Sequence, residues 1–97
     1  MIQHLVLFKF KEENKAENLL LAKKKSLALK EQIPQIVSWE VHLGAEGSAE
    51  GNHDFIIVST FESMDTLAEY QVHPAHVAFG KFISELREAR TCIDYEI

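Results

Sequence analysis

The sequence predicts an α+β fold of ferredoxin-like type: a four-stranded antiparallel sheet built in the order β-α-β-β-α-β, with its helices on one face. Three observations carry that prediction. Segments 2–11 and 54–61 are apolar on both faces of an extended pattern, segment 36–43 alternates apolar with polar, and two stretches of helical periodicity separate the strands. The 97 residues, 46% hydrophobic and 26% charged, suffice for one small domain around one core, and no linker, repeat or low-complexity run divides them.

Taken in order, residues 2–11 place Ile2, His4, Val6, Phe8 and Phe10 on one strand face and Gln3, Leu5, Leu7, Lys9 and Lys11 on the other. Asn14, with Glu17 three residues on, reads as an N-cap with a capping-box partner and opens a helix over 15–32. Leu19, Ala22, Ser26, Leu29 and Ile33 form its buried stripe, whereas the run Lys23 to Lys25 belongs to a solvated face. Pro34 closes the helix. Val37, Trp39, Val41 and Leu43 then alternate with Ser38, Glu40 and His42 in the manner of a half-buried edge strand, and a glycine-containing loop over 44–51 follows.

The third strand, 54–61, carries Phe55, Ile57 and Phe61 on one face and Ile56 and Val58 on the other, which suits a central position. Ser63 reads as the N-cap of a short helix reaching Tyr70, and Pro74 breaks the chain and opens a second helix reaching Arg87. Val77, Phe79, Phe82, Ile83 and Leu86 supply the apolar face of that second helix, and a final strand runs over 91–97. Helices cover one side of such a sheet. Leu5, Leu7 and their third-strand neighbours would therefore face water, and the expected partner is a second copy packed sheet to sheet in an isologous homodimer, an α+β barrel.

Ten Lys and Arg against fifteen Asp and Glu give a net charge of −5, so nucleic acid is not an expected partner. The apolar runs fall short of a membrane span and the N-terminus lacks the pattern of a signal peptide, so no membrane partner is expected and the expected location is the cytoplasm. Cys92 is the only cysteine, which excludes an internal disulfide and any multi-cysteine metal site, and it reads as a small buried residue. Neither a nucleophile triad nor a phosphate-cradling glycine loop is present.

The densest group of proton-transfer side chains is Tyr70-Gln-Val-His-Pro-Ala-His76. On an unbroken helix Tyr70 and His76 would point about 120° apart, and the proline break is what could aim both at one cavity. His4, on the strand face shared with Val6 and Phe8, is the third candidate for that cavity, and Phe79 lies on the apolar face of the following helix. An imidazole that accepts a proton near neutrality and a phenol that donates to a developing oxyanion together suit removal of a C–H proton beside a carbonyl. The plainer reading is a histidine that caps the break and a tyrosine at the core edge. His73 and His76 are spaced for one helix face but have no third ligand at a recognised spacing, so no side-chain metal site is expected; Asp94 or His4 could complete one only through the fold. His42 and His53 fall on a polar strand face and in a loop.

The segments His4-Leu-Val-Leu-Phe-Lys-Phe-Lys11, Thr60-Phe-Glu-Ser63, Tyr70-Gln-Val-His-Pro-Ala-His-Val77 and Asp94-Tyr95 resemble the stress-responsive A/B barrel (Dabb) family across essentially the whole chain. The resemblance implies a ferredoxin-like protomer in a dimeric α+β barrel. A plant member of that family closes a linear polyketide by an intramolecular aldol condensation; carried over, His76 is the general base, Tyr70 the oxyanion partner, and His4 positions the substrate. Val6, Phe8 and Phe79 complete the expected ligand-binding set. Where that enzyme has bulky aromatic residues on its first helix this chain has Ala22 and Ser26, and where it is apolar near the C-terminus this chain has Arg87 and Arg90, so its particular substrate does not carry over. No organic cofactor is implied; some members bind magnesium through backbone carbonyls. The expected function is binding of a small apolar or carbonyl-bearing ligand, with cofactor-independent cyclase or lyase chemistry as one outcome and a non-catalytic ligand-binding or stress-associated dimer as the other. A monooxygenase of similar architecture is a third reading without a mark of its own in the sequence.

Overall fold

A computed structural model describes residues 1–97. Its elements are β1 (Ile2–Phe10), α1 (Lys15–Leu27), α2 (Leu29–Gln32), β2 (Ser38–Leu43), β3 (Phe55–Phe61), α3 (Met64–Val72), α4 (Pro74–Ser84) and β4 (Arg87–Glu96). The strands form one antiparallel sheet in the order β2-β3-β1-β4, so the two strands that are apolar on both faces are the two central ones. This is the ferredoxin-like α+β arrangement.

The helix-covered face holds the core. Val6, Phe8 and Phe10 of β1 and Phe55, Ile57 and Phe61 of β3 are buried there against Ala22, Leu29, Ile33, Leu67, Phe79 and Ile83. The stripe predicted for the first helix is buried from Ala22 to Ile33, but the helix is interrupted at Ala28 and continues as the short α2. Asn14 is not a side-chain cap. Its backbone is left-handed (φ 52°), a region asparagine tolerates, and it turns the chain into α1 without donating or accepting through its amide. Ser63 does cap α3, accepting from the Thr66 amide at 3.2 Å while Thr66 Oγ1 accepts from the Ser63 amide at 3.1 Å.

Several boundaries and two faces differ from the sequence reading; α3, for one, runs on to Val72 past Tyr70. β2 begins at Ser38 rather than residue 36, α4 ends at Ser84 rather than Arg87, and β4 begins at Arg87 rather than Thr91. The early part of β4 is charged because it is an edge strand, most of whose positions stay in water. Val37 and Val77, read as core-facing, are 41% and 55% exposed.

On the uncovered face, Leu5 and Leu7 pair across to Val58 and Ile56 on one side and to Ile93 and Thr91 on the other. With Tyr95, they form an apolar surface in which Ile93 is 57% and Tyr95 43% exposed, bordered by the polar Glu40 and His42 of β2. No helix is long and apolar enough to cross a membrane.

Candidate functional site

A cavity of about 120 Å³ lies between the sheet and α3–α4. It is slightly smaller than the ~150 Å³ that holds a benzene ring. The sheet contributes His4, Val6 and Phe8 from β1 and Ile57 from β3, while the helices contribute Tyr70, His76, Phe79 and Ile83. All six residues singled out from the sequence line this one space. Gly80 borders it too, and a Cβ built there would meet no atom within 4 Å, so the missing side chain leaves room.

The proline break does the aiming. His73 takes the extended backbone that a residue before proline prefers (ψ 135°) and caps α4, its Nδ1 accepting from the Ala75 amide at 3.1 Å. The capping role therefore falls to His73, which leaves His76 free to face Tyr70 at a ring-centroid distance of 4.3 Å. His76 Nδ1 lies 3.0 Å from the Gln71 carbonyl oxygen. A carbonyl only accepts, so Nδ1 carries the hydrogen and Nε2 of the neutral ring keeps its lone pair. Burial, with smaller contributions from the charges of His4, Arg90 and His73, lowers the His76 pKa from its ordinary 6.5, against an opposing effect of the Gln71 hydrogen bond.

Tyr70 is buried at 2% exposure between Phe61, Trp39, His4 and His76. Burial raises its pKa, so the phenol stays protonated throughout the physiological range. The only sealed side-chain polar atom without a partner is Gln35 Oε1. The Tyr70 hydroxyl makes no hydrogen bond within the protein and is not sealed, so it is open to the cavity.

His4 is 3% exposed and its Nδ1 donates to Asp94 Oδ1, its cross-strand neighbour on β4. The carboxylate holds one tautomer and ring orientation, leaving Nε2 as the other functional edge. Asp94 is the residue that sequence reasoning missed in this role; the sequence offered it only as part of the terminal motif and as a metal ligand that the fold would have to bring in. Its signal is the antiparallel register, 90 residues apart in the chain.

Cys92, half-buried rather than buried, lies beside the same pair with Sγ 3.6 Å from His4 Nδ1. His4, Cys92 and Asp94 thus bring three ligand atoms within 4.8 Å of one another, whereas His73 and His76 are directed to different partners. A nitrogen and a sulfur in that set suit a softer ion than magnesium. His42 lies exposed beside Glu40 at 3.4 Å and His53 beside Thr91 at 3.2 Å, both outside the cavity.

Residues 2–97 match the stress responsive A/B barrel domain. Over 96 residues the chain is 32% identical to olivetolic acid cyclase of Cannabis sativa, covering 97% of this chain and 94% of that one. It is also 32% identical to a stress-response A/B barrel domain-containing protein of Arabidopsis thaliana, covering 98% and 88%. Among solved structures, a dimeric protein of unknown function and ferredoxin-like fold from Bacteroides fragilis superposes with a TM-score of 0.88 at 33% identity, covering 99% and 95% of the two chains.

Proposed function

Because the chain belongs to the stress-responsive A/B barrel family, we propose that its cavity binds a small apolar, carbonyl-bearing molecule and catalyses cofactor-independent aldol-type cyclase or lyase chemistry. The observation that carries this reading is the pairing of an imidazole whose Nδ1 is committed to Gln71 with a protonated phenol 4.3 Å away, ring to ring, in one cavity. His76 Nε2 removes the proton beside the carbonyl, and Tyr70 donates a hydrogen bond to the oxygen on which charge develops. The carbanion attacks a second carbonyl carbon, forming the C–C bond, and the imidazolium returns its proton to the new alkoxide. His4, held by Asp94, orients the substrate. The 32% identity to a protein named as a cyclase, over nearly the whole of both chains, supports the same class of chemistry.

The test is deuterium exchange into the C3 methylene of butanone in D₂O, followed by NMR, with the spontaneous rate subtracted. The protein is expected to accelerate exchange beyond an equal concentration of imidazole. Binding without acceleration would establish the non-catalytic ligand-binding reading instead.

The pH profile follows from the base. Its lowered pKa leaves His76 more than half neutral at pH 6.5, where an ordinary histidine is half protonated, so the acid limb of the rate is expected below 6.5. A limb centred above 6.5 would remove His76 from the role of base. The same shift has a linkage consequence: below the unfolded pKa the unfolded chain binds more protons at this position, so its contribution to stability falls as pH drops through 6.5 toward the folded value.

We further propose that the uncovered sheet face is closed by a second copy, giving a dimeric barrel. The B. fragilis relative is itself a dimer. Light scattering is expected to give about twice the 11.1 kDa chain mass, and the double change Leu5→Asp and Val58→Asp, which places like charges opposite each other on adjacent strands of that face, to give the monomer. A wild-type mass of 11.1 kDa at micromolar concentration would refute the dimer.

A further inference from the structure

Two arginines, Arg87 and Arg90, border the cavity beside Tyr70 and His76. Three residues apart on a regular strand, they would face opposite sides of the sheet. The register shows why they do not. Phe8 pairs with Arg90 and Lys9 with Ala89, but Phe10 pairs with Arg87, so Glu88 is the extra residue of a β-bulge. Phe8 and Phe10 both point into the helix-covered core, at 4% and 0% exposure, and their partners therefore both lie on the cavity side. Unbulged pairing would have placed Glu88 opposite Phe10 and turned Arg87 to the other face. The bulge exchanges a carboxylate for a guanidinium at the cavity rim.

Neither guanidinium is neutralised from within the protein. The ion pairs are Lys15 with Glu12 and with Asp54, and the other carboxylate contacts are His4 with Asp94 and His42 with Glu40. In a chain of net charge −5, two arginines without carboxylate partners at the rim of one small apolar cavity form a local positive site against the overall charge. Guanidinium groups match planar oxyanions with paired N–H donors.

We propose that Arg87 and Arg90 bind a carboxylate on the ligand, so that the cavity selects oxo acids: compact molecules with an apolar body, a carbonyl reaching Tyr70 and His76, and a carboxylate at the β4 rim. This rests on the carbonyl-binding reading above and adds the charged end of the ligand. The cavity admits a short chain and leaves the charged group at its mouth, where Arg87 is half-buried and Arg90 exposed.

The test compares 4-oxopentanoate with its neutral isostere 4-oxopentanamide, by NMR titration of the His76 ring signals at low ionic strength. The acid is expected to bind at least tenfold more tightly than the amide. The double variant Arg87→Gln, Arg90→Gln is expected to lose that preference while still binding the amide, and Arg87→Lys, Arg90→Lys to retain part of it through charge alone. Equal affinity of acid and amide for the wild type, or a preference that survives the glutamine changes, overturns the proposal and leaves the carbonyl-binding reading standing. If neither compound moves the His76 signals, both fall. Displacement of the acid by equimolar inorganic phosphate would show that the pair selects phosphate and would overturn the carboxylate assignment.

Discussion

Replacing His76 with alanine is expected to lower the protein-catalysed exchange of butanone by ~10²- to 10⁴-fold, the usual contribution of one positioned acid–base group. The size of the effect follows from the geometry. Gln71 holds the Nδ1 hydrogen, so the ring offers one basic nitrogen in a fixed tautomer, and burial keeps that nitrogen unprotonated near neutrality. His73 cannot replace it, since its Nδ1 accepts from the Ala75 amide and its other nitrogen therefore carries the hydrogen. Tyr70→Phe keeps the ring contacts with Phe61 and His76 but removes the donor. It is expected to reduce exchange without weakening binding in proportion, because the hydroxyl serves charge that develops only in the transition state. An unchanged rate in both variants would eliminate the pair.

The Phe61→Ala change is expected to cost ~3–5 kcal/mol of stability. Phe61 is fully buried at the end of a central strand, and its ring packs 4.8 Å from Tyr70 and 6.2 Å from His4 by centroid. A domain of this size has about 5–15 kcal/mol in total, so the loss is a large part of what holds the fold. Urea unfolding at fixed protomer concentration measures it as a lower midpoint with an unchanged slope. Phe61→Leu, which keeps most of the volume, is expected to cost well under half as much. A shift of less than about 1 kcal/mol for the alanine variant would mean that the aromatic cluster collapses around the gap, contrary to the close packing of protein interiors.

These two residues show how unevenly fold and site can be read from the chain. Phe61 is legible because strand periodicity is a local property: alternation from Phe55 to Phe61 assigns it a face without knowledge of its neighbours. His76 is legible as a candidate because the Tyr-x-x-His-Pro-x-His segment is contiguous, yet which histidine caps the helix and which is free for chemistry depends on backbone geometry around Pro74. Asn14 misleads for a related reason. Asparagine before a helix serves either as a side-chain cap or as a left-handed turn residue, and composition does not distinguish the two.

The ferredoxin-like order of elements, the two central strands and the candidates Tyr70, His76 and His4 are legible in the chain alone, because each follows from spacing, breaks and periodicity within a short stretch or from resemblance along the whole chain. The partner of His4 and the face of Arg87 emerge only from the three-dimensional arrangement. Asp94 meets His4 through antiparallel register, and Arg87 joins Arg90 because one extra residue, Glu88, shifts that register. Register arises from packing between strands far apart in sequence. A slip of one residue reverses every side chain beyond it, so a feature with no local signature decides which charges face the cavity.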